Sequence, residues 1–394
     1  MLRTFFLPSV SRLPVRAQWP IPRGHYKALS NIRAMSTSSM VNVEGASFNI
    51  ALIQLGGIGA NKLANLLHAR AMIAEAARGD EKGLKPQVVV LPEIFNSLYG
   101  SSYFDTYAEV IGWHESKGSV WDADKCSSPS IKMLSSAARE EQVWLFGGQS
   151  GFSLSGTRGW FSRSVCFDWL GSIPERSPDD PKVLYNSAPV FQPDGKLVAL
   201  HRKLHLFDID IPNQITFKES ETLSAGSDPV TIVETPFGKI GLGICYDIRF
   251  PEMAMIAARR GCIAMIYPGA FNLTTGPLHW ELLQRARAVD NLIYVAACSP
   301  ARNPSSAYQA WGHSSIIDPM SVEFCSGNAL IRGAHDTIIP NHHLYRARVI
   351  STSDEVESIV HGKIDIAELI AARKGLPVTT QRRFDVYPDV SKPI

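Results

Sequence analysis

The chain has 394 residues, 45% of them hydrophobic, enough to bury a large core as one big domain or two ordinary ones. No apolar run reaches the roughly 18 residues that a membrane span needs, so no membrane role is expected. The net charge of +2 hides an asymmetry: residues 1–43 hold six basic residues and no acid, leaving 33 basic against 37 acidic residues in the body, which argues against a nucleic-acid-binding face.

That first segment carries Arg3, Arg12, Arg16, Arg23, Lys27 and Arg33 among Leu2, Phe5, Phe6 and Leu7, and then "MSTSSM". It reads as a mitochondrial presequence over residues 1–36. The other readings are a plain basic tail, or a true start at Met35 or Met40, either of which leaves a cytoplasmic protein.

From Ser47 the chain alternates strands and helices. "FNIALIQL" (48–55) predicts a strand, and "NKLANLLHARAMIAEAARG" (61–79) a helix with Asn61 as cap and Gly79 near its end. "PQVVVLPE" (86–93) is a short β-branched run of the kind buried on both faces. "SIKMLSSAAREEQ" (130–142) is helical, and "VWLFGG" (143–148) is the next strand. "SAPVFQPDGKLVALHRK" (187–203) reads as a hairpin turning at Pro193-Asp194-Gly195, and "VTIVETPFGKIGLGIC" (230–245) as a second. A helix over 251–260, with Pro251 and Glu252 in its first turn, precedes strand "CIAMIYPG", helix "HWELLQRARAVDN" and strand "LIYVAACSP". This mixture predicts one layered α/β domain over 44–394 with helices outside.

Two stretches break the rhythm. Residues 149–171 hold Trp160, Phe161, Phe167 and Trp169 without a steady period, and residues 321–348 hold three histidines and no clear element. Loops of that length inside a compact domain need a reason.

Six cysteines (Cys126, Cys166, Cys245, Cys262, Cys298, Cys325) show no C-x-x-C pair and no zinc-like spacing. Cys262 and Cys298 sit in or beside apolar runs and read as core. His201 and His205 flank a lysine with no acidic metal motif, so no metal is expected. Cys245 differs: it ends an apolar strand in the turn before a helix, followed by Tyr246, Asp247 and Arg249. A hydrolytic thiol needs a proton acceptor and an oxyanion stabiliser. Glu93, closing "VVVLPE", and Lys203, ending "KLVALHRK", stand at two other strand ends. Taken singly, each reads equally well as a solvated strand end or as a group with chemistry to do, and spacing alone leaves a Cys-His protease open.

Together, Glu93 in "LPEIFNSLYG", Lys203 in "HRKLHLFDID" and Cys245 in "GLGICYDIRFPE" resemble the Glu-Lys-Cys set of the nitrilase superfamily. "FDIDIPNQITFKESETLSAG", "YPGAFNLTTGPLHWELLQRARAVDN", "SPARN" and "WGHSSIIDP" resemble its omega-amidase branch, over about residues 47–385. The resemblance implies a nitrilase-like α-β-β-α sandwich, usually a homodimer, that hydrolyses the terminal amide of a small-molecule 2-oxo acid amide, 2-oxoglutaramate or 2-oxosuccinamate, without a cofactor. It makes Cys245 the nucleophile, its thiolate favoured by Lys203 and a helix N-terminus, and Glu93 the proton acceptor. Lys203 and the Tyr246 N–H stabilise the oxyanion, Glu219 is auxiliary, and Tyr99, Tyr246, Phe271 and Asn272 line the substrate pocket. The rivals are another amidase of the superfamily, such as one acting on deaminated glutathione, and an inactive binding protein of the same fold. Against the family pattern, 149–171 and 321–348 are extra. Their clean edges point to retained introns or a faulty gene model; the other reading is two genuine surface insertions.

Overall fold

The hydrophobic spacing of the first elements sets the plan. In the computed structural model, strand β1 (Phe48–Gln54) leads to helix α1 (Lys62–Arg78), whose cap Asn61 accepts a hydrogen bond from the Ala64 N–H as expected. Strand β2 (Val88–Val90), helices α2 (Ser101–Tyr107) and α3 (Pro129–Glu141), and strand β3 (Trp144–Phe146) follow. Next come β4 (Ile173–Arg176), β5 (Leu184–Phe191), β6 (Leu197–Arg202), β7 (Asp208–Ile211), β8 (Ile215–Lys218), β9 (Thr231–Thr235) and β10 (Gly238–Leu242). The second half runs α4 (Pro251–Arg259), β11 (Cys262–Pro268), α5 (Gly276–Asn291), β12 (Tyr294–Cys298), β13 (Ser315–Ile317), β14 (Ser321–Phe324), β15 (His343–Arg346), β16 (Val349–Thr352), β17 (Ser358–Ile364) and α6 (Ile366–Gly375). The described residues are 46–114, 121–146, 172–212, 215–319, 321–324 and 343–389, all within the compact unit 38–394. The segments 1–36 and 149–171, with Cys166 and Cys325, lie outside them.

Among the described residues there are two large sheets. One has the order β17-β1-β2-β3-β5-β4 with β6 also paired to β5, parallel across β1, β2 and β3. The other has the order β16-β13-β12-β11-β10-β9, parallel across β10, β11 and β12. Alternation along each strand divides the core. Val88 and Val90 pack inward with Ile50, Leu52, Ile240, Ile266 and Ala296 between the sheets. Val89 instead packs with Ile73 of α1 and Leu134 of α3. On the far side Met265 and Val295 meet Ala254 of α4 and Ala288 of α5. Helices therefore cover both outer faces, the expected α-β-β-α sandwich.

The expected hairpin of β5 and β6 turns at Pro193-Asp194-Gly195, where Gly195 has φ 85° and a side chain would strike the Ser135 carbonyl. The stretch 321–348, read from sequence as having no clear element, holds a strand at each end. β14 and β15 pair antiparallel, Ala347 is core, and the Arg348 guanidinium donates to Asp318 at 3.2 Å. Only 325–342 of that stretch falls outside the described residues.

Candidate active site

Each of the three strand-end residues is delivered by a different strand, and the packing of the two sheets brings them together. Glu93 lies just past β2, Lys203 just past β6 and Cys245 shortly after β10. Glu93 and Lys203 are wholly buried, and Cys245 is 5% exposed. Lys203 Nζ stands 3.1 Å from Glu93 Oε1, and 2.9 and 2.8 Å from the two oxygens of Glu219, which lies in the turn after β8. Glu93 Oε1 also accepts from Asn186 Nδ2 at 2.8 Å, and Oε2 from the Ala270 N–H at 3.0 Å and the Tyr99 hydroxyl at 3.3 Å. Glu219 Oε2 accepts from the Phe207 N–H at 2.8 Å. Both carboxylates are thus held by several donors, which is what makes buried charge tolerable.

The electrostatics follow from burial and proximity. Burial works against the Lys203 charge, but Glu219 and Glu93 outweigh it and hold the ammonium well above its ordinary value. Burial, joined by Glu93, lifts the Glu219 carboxyl although Lys203 pulls it down. The Cys245 thiol, in hydrogen-bond contact with Glu93, is pushed well up by burial first and by Glu93 second, with Lys203 opposing. This corrects the expectation of a lysine-favoured thiolate. Burial and the facing carboxylate outweigh the lysine, which alone acts in the expected sense.

The chain strains to present these groups. Cys245 opens a short 3-10 helix, Cys245–Arg249, at φ 48°, and Ile94, next to Glu93, has φ 51°. Such left-handed non-glycine residues cost about 1–3 kcal/mol each and persist only where their surroundings impose them. Ile94 is pinned by its N–H to Ser172 Oγ at 3.0 Å. Cys245 backs onto Gly269, where even a methyl group would come to 3.0 Å from the Cys245 Cα.

The weaker candidates divide. Tyr99 touches Glu93 directly and packs on Tyr308, ring centroids 4.3 Å apart. Tyr246 is half-buried with its ring edge-on to Phe207. Phe271 packs edge-on against Trp280 and under the Arg249 guanidinium at 4.8 Å. Asn272 turns its carboxamide oxygen to the N–H groups of Thr274 and Thr275 before α5, so it shapes the turn; its buried Nδ2 has no acceptor among the described residues. Sequence reading assigned no role to Asn186, Tyr308, Arg249 or Asp247. Arg249 and Asp247 were visible within "CYDIRF", but Asn186 and Tyr308 carry no local signal because only the tertiary fold brings them here.

A buried thiol, carboxylate and ammonium at the meeting ends of two sheets suit acyl transfer from an amide. The chain belongs to the carbon-nitrogen hydrolase family, whose model matches residues 49–322. A hydrolase of Schizosaccharomyces pombe is 47% identical over 91% of this chain and 89% of its own. An omega-amidase of Saccharomyces cerevisiae is 41% identical over 91% of this chain and 99% of its own. The crystal structure of Saccharomyces cerevisiae Nit3, a member of branch 10 of the nitrilase superfamily, is similar with a TM-score of 0.64 and 38% identity, covering 86% of this chain and 97% of that one.

Proposed function

We propose that this protein is an omega-amidase, hydrolysing the terminal amide of 2-oxoglutaramate or 2-oxosuccinamate to the 2-oxo dicarboxylate and ammonia. Arg249 carries this choice. It lies four residues after the thiol and interacts electrostatically with it, over the rings of Tyr246 and Phe271. Among the described residues it has no carboxylate partner, and burial pulls its guanidinium below the ordinary value. A half-buried cation of this kind suits the carboxylate of a 2-oxo acid.

In the proposed reaction the Cys245 sulfur attacks the amide carbon as its proton passes to Glu93. The oxyanion that forms is stabilised by Lys203 and the Tyr246 N–H. The C–N bond then breaks, and ammonia leaves with the proton from Glu93. Glu93 next takes a proton from water, whose oxygen attacks the thioester, and the second intermediate collapses to the acid and the free thiol. Glu219 keeps Lys203 charged and aimed, while Tyr99, Phe271 and Asn272 frame the pocket.

A homodimer is supported by α5, whose Leu278 and Leu282 are each more than 60% exposed. A mitochondrial address is supported by the acid-free basic segment 1–36. Steady-state rates on 2-oxoglutaramate, deaminated glutathione and a neutral amide test the substrate. The highest kcat/KM is expected for 2-oxoglutaramate. A preference for deaminated glutathione would favour another amidase, and no hydrolysis at all a binding protein.

A further inference from the structure

Lys203 is flanked two residues to either side by histidines, and both turn to one carboxylate on the nucleophile's own turn. Asp247, wholly buried, accepts at Oδ1 from the His205 N–H (2.9 Å) and His205 Nδ1 (2.8 Å), and at Oδ2 from the Ile244 N–H (2.8 Å) and His201 Nε2 (3.3 Å). A carboxylate only accepts, so both rings donate to it, and the remaining His201 nitrogen, Nδ1, lies 3.0 Å from Thr231 Oγ1 to receive that hydroxyl. His205 is further fixed by stacking on Phe250 at 3.7 Å. Burial works against the Asp247 charge, but the two histidine hydrogen bonds hold its carboxyl far below the usual range.

The residues so tied are informative. Ile244 precedes Cys245, and the Asp247 N–H returns to the Ile244 carbonyl at 3.0 Å, so the tight loop containing Cys245 is closed from both sides. The same carboxylate grips the chain before and after Lys203. One anion therefore sets both the left-handed backbone of Cys245 and the spacing between the thiol's turn and the lysine's strand.

We propose that Asp247 is a positioning residue for the nucleophile, a clamp that holds Cys245 in register with Lys203 and Glu93 without touching the substrate. The proposal rests on the reading of Cys245 as nucleophile. Misplacing a reacting group by about 1 Å costs on the order of 100-fold in rate, with little effect on binding.

The test combines kinetics with alkylation of the full-length enzyme by iodoacetamide at pH 7, followed by peptide mapping. Asp247→Asn places an N–H₂ among donors. We expect kcat to fall about 100-fold, KM to stay within about threefold, and Cys245 alkylation to slow about tenfold or more. His205→Ala removes the ring's hydrogen bond to Asp247, and its stack on Phe250, from a partly exposed side chain while the backbone N–H contact stays. It covers the case in which Asp247→Asn does not fold, and a smaller kcat loss in the same pattern is expected, with an unfolding midpoint close to wild type. Folded variants with unchanged kcat and alkylation, or with a raised KM alone, would overturn the clamp while the nucleophile stands. Amide turnover that persists in Cys245→Ala would overturn the nucleophile, and the clamp with it.

Discussion

The Ala270 N–H donates to Glu93 Oε2 at 3.0 Å, joining the loop after β11 of one sheet to the loop after β2 of the other. Glu93 is thus aimed by the opposite sheet, and Cys245, backed onto Gly269, shares that support. Thiol and carboxylate are positioned as one unit, and the carboxylate raises the thiol.

That linkage gives a prediction with a definite sign. Glu93 is the main charge raising the Cys245 thiol and Lys203 the charge lowering it. Glu93→Gln removes the first and keeps the second. The pH midpoint of Cys245 alkylation is therefore expected to fall below wild type, while amide turnover drops by several orders of magnitude. A midpoint that rises, or turnover that persists, would contradict the assignment.

Arg249→Met tests the substrate anion. Loss of a charge-assisted contact worth about 1.5–3 kcal/mol predicts a KM for 2-oxoglutaramate raised roughly 10- to 100-fold, with that for a neutral amide nearly unchanged. Equal effects on both substrates would assign Arg249 to the architecture of the turn.

Lys203→Met leaves Glu93 and Glu219 buried without their cation, which should destabilise the fold by about 3–5 kcal/mol. Glu219, already raised by burial, loses in that variant the cation that lowers it, so its folded-state pKa lies above its unfolded one. Its stability contribution is present below the unfolded value and lost as pH rises through the folded one. The gap in unfolding midpoint from wild type should therefore narrow from pH 8 to pH 5. A gap that widens on acidification would show that Lys203 does not serve as the counter-charge of Glu219.

How far the sequence carried this picture depends on the range of the contacts involved. β11 was legible because all seven residues are apolar or near-apolar and buried, and α1 because its cap and period are local. The three strand ends could be named, but not the 3.1 Å contact between Lys203 and Glu93, since the pairing of sheets lies outside any local pattern. β17 was missed for the same reason. It carries His361, Gly362 and Lys363 in its middle and becomes a strand by pairing with β1 at the other end of the chain. The β7–β8 hairpin, largely exposed along β7, offers no buried stripe to read. The sign of the Cys245 shift was missed because spacing does not report burial.

The extra segments allow a direct genetic test. Ser172, immediately after 149–171, holds the Ile94 N–H and donates to Asn186 Oδ1 at 2.6 Å, so a deletion must stop before it. At the other segment Ala347 and Arg348 belong to the fold, which narrows the removable part to 325–342. Deleting 149–171 and 325–342 is expected to raise soluble yield and the unfolding midpoint, with kcat within about twofold of the parent. Loss of the fold or of activity would make these segments working parts of the protein.

In the proposed reaction Cys245 attacks the amide of a 2-oxo acid amide. Ammonia release from 2-oxoglutaramate by wild type and Cys245→Ala, side by side, tests it most directly. Wild type should turn over, and the variant, keeping an unfolding midpoint close to wild type because the core loses only a sulfur, should fall by several orders of magnitude. Comparable ammonia release from the two proteins would contradict the claim.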